Sequence, residues 1–239
     1  MKRHFSLGAS HRFSLVTLVL AAVSGALWVF SVRNRSRFIL PHCIDPLTCT
    51  PDTIAGIDRW VVSYPHSPFL DSFSFITQYT AAALLLGTGL WGLSQHTLPW
   101  SIRFKRWGLD TLQAFEATLI NGAAMEIVRN LVQRPRPFVY LNPGVLGQNP
   151  AHYISFYSGH TSFTVTACLT AVLILRSHQT DQPKLIRLVG IVAVSLSLLT
   201  GLFRVLSGRH FPTDVLAAAV AGIGVALLTE SLHRISWKR

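Results

Sequence analysis

The chain has 239 residues, half of them hydrophobic and only 13% charged, with a formal net charge of +11. Soluble domains usually carry about 25% charged residues, and the mean hydropathy here is +0.40, which argues against a soluble all-α protein. The basic excess, with a pI near 10.4, falls in short clusters between apolar runs. That placement suits membrane topology and anionic headgroups and argues against a nucleic-acid partner.

In chain order, residues 13–30 form the first apolar run, preceded by Lys2, Arg3 and Arg12. The run resembles a signal peptide but lacks a small-residue cleavage site, so it reads as a retained anchor. A polar loop follows over about 31–71, where Pro41, Pro46, Pro51, Pro65 and Pro68 discourage long helices. Cys43 and Cys49 share this loop and pair as a disulfide if it faces an oxidising compartment, the alternative being two free thiols. Further spans are expected over about 72–94, 109–132, 161–175, 188–206 and 213–233, each near the roughly 20 residues a bilayer requires. A Pro- and Gly-rich loop over 134–157 separates the third from the fourth. Cys168 lies in an apolar run as a small packing residue. Without internal repeats or low-complexity tracts, residues 1–239 read as one integral domain.

Charge sets the expected orientation. Lys2, Arg3, Arg12, Arg103, Lys105, Arg106, Arg176, Lys184, Arg187, Arg234, Lys238 and Arg239 share one side if there are six spans with both termini in the cytoplasm. Arg33, Arg35 and Arg37 depart from that rule. Asp110, Glu116 and Glu126 fall in the third span, where carboxylates are functional candidates by default. Glu126 precedes Arg129 by three positions, so a local ion pair is expected. Asp110 lies near the inner end, within reach of water, and the sequence offers no partner for Glu116.

Three polar segments fall at the outer ends of spans three to six. They are Arg129-x6-Arg136-Pro137, Tyr157-Ser158-Gly159-His160 and Arg204-x5-His210-x3-Asp214. Arginine at a membrane helix end is often only a snorkelling anchor, but three arginines beside two histidines and an aspartate suit an oxyanion site. Guanidinium forks match phosphate oxygens bidentately. Pro135 and Pro137 end the third span and throw Arg136 into the loop. Ser158 suits an N-cap, Gly159 permits close backbone approach, and the free N–H groups of a helix start attract anions. Pro212 suits a first helical turn. Asp214, four residues after His210, is expected to accept a hydrogen bond from one imidazole nitrogen, freeing the other for attack. A zinc reading of His152, His160 and His210 lacks the usual ligand spacing, so no metal and no cofactor is expected.

In order and spacing the three segments resemble the motifs of the type 2 phosphatidic acid phosphatase superfamily, which also contains vanadium haloperoxidases. The resemblance implies an all-α, polytopic membrane bundle of six transmembrane helices around a haloperoxidase-like core, with the motif region at 129–214. It implies a lipid phosphate phosphatase: His210 as nucleophile forming a phosphohistidine, Asp214 orienting it, and His160 as acid and then base. Arg129, Arg136, Arg204, Ser158 and Gly159 would bind the phosphate. The partners implied are the bilayer and a lipid phosphate, with the site on the extracytoplasmic face of the inner membrane. A polyprenyl diphosphate, phosphatidic acid, phosphatidylglycerol phosphate or a lipid A phosphate would each serve. Arg129 stands where the pattern has Lys, Tyr157 where it has Pro, and Phe203 where it has Ser. Two other readings share these residues: a lipid phosphotransferase using the same histidine, and a catalytically decayed lipid-binding protein.

Overall fold

The computed structural model describes residues 7–94, 98–178 and 182–234, with only the backbone described for 7–14 and 234. Of the basic clusters above, Lys2, Arg3, Lys238 and Arg239 lie outside the described residues, as do the side chains of Arg12 and Arg234. Six long helices carry the fold: α1 (Leu7–Arg33), α2 (Pro68–Ser94), α3 (Trp100–Val132), α4 (Gly159–Ser177), α5 (Pro183–Leu206) and α6 (Pro212–Arg234). Proline opens α2, α5 and α6 at the position where a missing N–H costs nothing. No strand occurs among the described residues. The helices extend the expected spans by a few residues at most ends, and by nine at the start of α3, where 109 becomes Trp100.

α4 is the central helix and packs against α2, α3, α5 and α6, while α1 lies along α3. Four helices, α1, α2, α5 and α6, are long and apolar enough to cross a membrane. The other two bury a polar face, and their composition follows from that. α4 buries the hydroxyls of Thr161, Ser162, Thr164, Thr166 and Thr170. α3 buries Asp110, Gln113, Glu116, Asn121, Glu126 and Arg129. A charged side chain at the centre of a lipid-facing helix costs about 2.5–3.5 kcal/mol on insertion scales, so such residues belong inside the bundle with partners. Those partners come from distant helices. Asp110 Oδ2 lies 2.8 Å from His178 Nε2, Glu116 Oε2 lies 2.8 Å from His233 Nε2, and Gln113 Nε2 donates to Glu230 Oε2 at 3.2 Å. Glu116, for which the sequence offered no partner, is thus paired 117 residues away.

Packing on the apolar sides is close. Gly122 of α3 admits the Trp28 indole of α1, where a Cβ would collide with the ring, and Trp28 in turn meets Phe163 of α4 with ring centroids 5.5 Å apart. Ala81, Cys168, Val172, Leu175, Val189 and Ala193 fill the seam between α2, α4 and α5.

Outside the spans, the two long loops fold together into a cap. Ile39, Cys43, Cys49, Phe138, Val139, Tyr153 and Ile154 form its buried core, and Cys43 and Cys49 are disulfide-bonded. Buried Tyr153 ties the halves: its hydroxyl accepts from the His42 and Cys43 amides at 3.1 and 2.9 Å and donates to the Gly147 carbonyl at 2.8 Å. The cap covers the end of the bundle where α3 and α5 finish and α2, α4 and α6 begin.

Candidate active site

The spacing of the third motif is built by a helix ending. α5 stops at Leu206, and Gly208 follows with φ +68°. A side chain there would also press on the Tyr64 carbonyl, 3.0 Å from a notional Cβ, so glycine serves both backbone and packing. The chain then doubles back until the amides of Arg209 and His210 both donate to the Arg204 carbonyl, at 3.2 and 3.1 Å. Five intervening residues therefore return His210 to the level of Arg204.

His210 is fully buried. Its Nδ1 lies 2.7 Å from the Ser155 carbonyl; a carbonyl can only accept, so Nδ1 carries the hydrogen. Burial pushes its pKa well below the ordinary 6.5, helped by the Arg204, Arg136 and Arg129 guanidiniums. The neutral ring therefore presents a lone pair at Nε2, which is buried without a protein partner.

This geometry corrects one expectation. Asp214 does not take the imidazole hydrogen: its Oδ2 is 3.6 Å from Nδ1, beyond hydrogen-bonding range. It instead accepts from Ser155 Oγ at 2.5 Å and from the Phe211 amide at 2.9 Å, while its Oδ1 accepts from Arg134 Nη1 at 2.6 Å. Asp214 thus fixes the residue whose carbonyl fixes His210. Arg134 also reaches Asp58 Oδ2 at 2.8 Å and lies over the Phe211 ring, 4.0 Å from its centroid. Asp58 accepts from the Thr213 amide at 3.1 Å and hydroxyl at 2.5 Å, holding the start of α6.

The second motif requires a further correction. Ser158 precedes α4, but its side chain makes no capping bond to the helix. Its Oγ pairs with Thr161 Oγ1 at 3.0 Å, and its amide donates to the Asp214 carbonyl at 3.2 Å. That amide is committed to the protein, so any anion at this helix start meets the amides from Gly159 onward. At Gly159 the space around the backbone is also limited by the protein itself. A Cβ there would come within 2.6 Å of Met125 Sδ and 2.8 Å of Arg129 Nη2; the close approach is to the arginine.

Arg129, on the last turns of α3, donates from Nη1 to Glu126 Oε1 at 3.0 Å and from Nε to the Tyr157 carbonyl at 3.3 Å. Glu126 also receives Arg35 Nη2 at 2.8 and 2.7 Å. Arg35, a departure from the charge rule, is therefore consumed by a buried carboxylate. Tyr157 adds its ring to a cluster with Met125 and Ala218, and burial pushes its hydroxyl up to about 12. Arg136 leaves the α3 end after Gln133 has turned the chain at φ 48°, and its amide donates to the His152 carbonyl at 2.8 Å.

Arg204 is ion-paired through Nη1 with Asp71 and lies 3.2 Å from Ser74 Oγ. Asp71 also binds Arg209, whose Nε and Nη2 approach its Oδ2 at 3.0 and 2.9 Å. Phe203 turns away onto Phe73 of α2, with ring centroids 5.5 Å apart, and the Arg204 guanidinium meets the Ser74 hydroxyl of α2. The His160 ring stands edge-on to Phe75, 4.3 Å between centroids.

Four buried nitrogens from four segments, the α3–α4 loop, α4, α5 and the α5–α6 loop, have no protein partner: Arg136 Nε, His160 Nε2, Arg204 Nε and His210 Nε2. Their charges feel one another: His160 senses Arg204, His210, Asp71 and Arg129, and Arg136 senses Arg204, Arg209 and Arg129. His152 is not part of the group, being bound to the Leu146 carbonyl at 2.7 Å and packed on Phe138. No cluster of three or more metal-ligating side chains occurs among the described residues.

Ser155, Arg134, Asp58, Asp71 and Arg209 were not legible as site residues in the sequence. Arg134 and Arg209 do stand inside or beside the motifs. Asp58 and Asp71 come from the first loop and the start of α2, far from any motif, and nothing in their local sequence marks them.

A multi-helix membrane-type bundle with a buried cluster of guanidinium and imidazole groups at one end defines a class suited to binding a compact polyanion. Its family follows from direct comparison: the chain belongs to the PAP2 superfamily, whose model matches residues 110–238. It is 27% identical over 132 residues to an undecaprenyl-diphosphatase of Sulfolobus acidocaldarius, covering 55% of this chain and 57% of that protein. It is 38% identical over 77 residues to phospholipid phosphatase 1 of Rattus norvegicus, covering 31% of this chain and 27% of the relative. The aligned part thus spans little more than half of one curated relative and about a quarter of the other. A solved transmembrane PAP2 type phosphatidylglycerolphosphate phosphatase from Bacillus subtilis superposes with a TM-score of 0.49 at 20% identity, over 93% of this chain and 94% of that one.

Proposed function

We propose that the protein is a lipid phosphate phosphatase that works through a phosphohistidine on His210. The observation that carries this reading is a set of unpaired buried nitrogens in electrostatic range of a neutral imidazole. Buried donors without partners are expensive, and a phosphoryl group would accept from the guanidinium donors while offering its phosphorus to the His210 Nε2 lone pair. In this reading His210 Nε2 attacks phosphorus while Arg129, Arg136 and Arg204 stabilise the equatorial oxygens. The amides from Gly159 onward assist at the start of α4, and Ser158 shapes that turn. His160 gives a proton to the leaving oxygen and then takes one from the water that cleaves the phosphohistidine. Asp214 keeps the nucleophile's tautomer through Ser155.

All six long helices span the bilayer in this proposal. α3 and α4 tolerate their polar faces because the other helices and their paired carboxylates shield them. The basic clusters at the start of α3 and between α4 and α5 favour a cytoplasmic position for that end, which puts the site at the outer face of a cell membrane in this reading. A lipid tail then stays in the bilayer while its headgroup enters the pocket. The names of the relatives point to a polyprenyl diphosphate or a phospholipid monophosphate as substrate.

Purified protein assayed for inorganic phosphate release over a panel of lipid phosphates tests this, with His210→Ala alongside. Release by the parent and none by the variant is expected. Unchanged turnover in His210→Ala would refute the mechanism, and transfer to an acceptor lipid without free phosphate would identify a phosphotransferase.

A further inference from the structure

The mouth of the pocket holds a cation that the reaction just described does not use. Arg209 immediately precedes His210, yet its side chain points to Asp71 in the first turn of α2, with Nε and Nη2 both on Oδ2. Nη1 makes no recorded hydrogen bond. Its side chain is 25% exposed, against 3% for Arg204 and 8% for Arg129. The guanidiniums therefore form two tiers, a buried one around His210 and an outer one at Arg209, bridged by the Asp71 carboxylate.

Two tiers suit two phosphates. Arg136 lies in electrostatic range of Arg129, Arg204 and Arg209, and Arg209 is tied to Arg204 through Asp71. A diphosphate ester adds a second ionised phosphate to the single one of a monoester, and Arg209 is a cation outside the inner tier.

We propose that Arg209, held in place by Asp71, is a specificity residue that receives the inner phosphate of a diphosphate lipid while the terminal phosphoryl group sits at His210. This deepens the phosphatase reading and rests on it. Asp71 is the resting anion of the subsite: it occupies guanidinium edges of Arg204 and Arg209 that phosphate oxygens would otherwise take, and keeps both cations paired in the empty pocket. The outer tier is also where an inner phosphate must lie. That group connects the reacting phosphorus to the lipid tail, and α2 carries exposed rings at Phe69, Phe73 and Phe75, on either side of Asp71 in sequence.

The chemistry balances with residues already named. His210 Nε2 forms a bond to the terminal phosphorus, and the bond from that phosphorus to the bridging oxygen breaks. The electron pair stays on the bridging oxygen, which takes the proton of His160 and departs as a lipid monophosphate held by Arg209. Water then attacks the phosphorus, the bond from phosphorus to His210 Nε2 breaks with its electron pair returning to the ring, the water's proton passes to His160, and inorganic phosphate leaves.

Farnesyl diphosphate and farnesyl monophosphate share one tail and separate the two headgroups. With full-length protein in detergent, the ratio of kcat/KM for diphosphate over monophosphate should fall about tenfold or more in Arg209→Gln. Arg209→Lys, which keeps the charge but not the fork, should recover part of it. Equal loss on both substrates, or no change in the ratio, would overturn the subsite while leaving the phosphatase reading intact. No hydrolysis of either by the parent protein would remove both. A measurement without variants serves as a second check: imidodiphosphate should inhibit the parent about tenfold or more better than inorganic phosphate, and equal inhibition would overturn the proposal.

Discussion

Ser155→Ala is the sharpest probe of how His210 is held. The hydroxyl donates to Asp214 Oδ2 at 2.5 Å while the carbonyl of the same residue accepts the His210 Nδ1 hydrogen at 2.7 Å. Removing the hydroxyl deletes a charge-assisted bond in a fully buried place, worth about 1.5–3 kcal/mol. Asp214 keeps Arg134 and the Phe211 amide, so the fold should survive. If the loosened carbonyl passes the whole of that energy to the transition state, kcat/KM falls by about 10- to 150-fold. Partial transmission gives the lower end of that range. The assay is steady-state phosphate release from a lipid phosphate in mixed micelles, paired with the rate of His210 phosphorylation in a single turnover. A purely structural role would leave the phosphorylation rate per folded molecule unchanged. Full activity in Ser155→Ala together with complete loss in Asp214→Asn would refute the reasoning, since that pattern requires the carboxylate to act on the imidazole directly.

Gly159→Ala should cost activity with little cost in stability: the new methyl meets only the far ends of Met125 and Arg129, and a displacement of about 1 Å in a phosphate donor is worth about 100-fold. A melting temperature that collapses while the activity of the folded fraction stays whole would contradict this. Arg134→Gln leaves Asp58 and Asp214, at 1% and 0% side-chain exposure, without their shared cation, which should cost about 3–5 kcal/mol; an unchanged denaturation midpoint would count against it. Because the folded His210 resists protonation, its stabilising contribution is full above pH 6.5 and is lost as the pH falls below that value, where the unfolded chain takes the proton first. His210→Gln should therefore flatten the decline of melting temperature between there and about pH 5, and an identical decline in both proteins would show the shift to be absent. Alkylation of Cys43 and Cys49 should require prior reduction, and reduction should weaken the cap by about 2 kcal/mol for so short a loop, read as faster amide exchange near Tyr153. Labelling without reductant would exclude the disulfide.

The long helices were readable because their cause is local: an apolar run of bilayer length leaves a chain few other places to go. Their limits were less readable at α3, where the run 100–108 contains Arg103, Lys105 and Arg106, a pattern that looks like a loop until it is seen as the exposed first turns of a long helix. The motif residues were legible as a group through fixed spacing, which a helix end can enforce within one segment, as between Arg204 and His210. Their partners were not. Asp71, Asp58 and Ser155 are ordinary residues in ordinary settings, and Glu116 had no neighbour to explain it.

By itself the sequence determined the membrane-type helical character and the set of arginines, histidines and aspartate offered for chemistry, because periodicity, hydropathy and turn residues act over a few positions. Only the tertiary structure decided which carboxylate faces which cation. Asp214 anchors Ser155 rather than His210, Asp71 bridges Arg204 and Arg209, and Glu116 meets His233, each through contacts between segments more than fifty residues apart. Such pairings are set by how helices pack around α4. A hydrogen bond depends on positions to within a few tenths of an ångström, and chain spacing carries no such precision between distant segments.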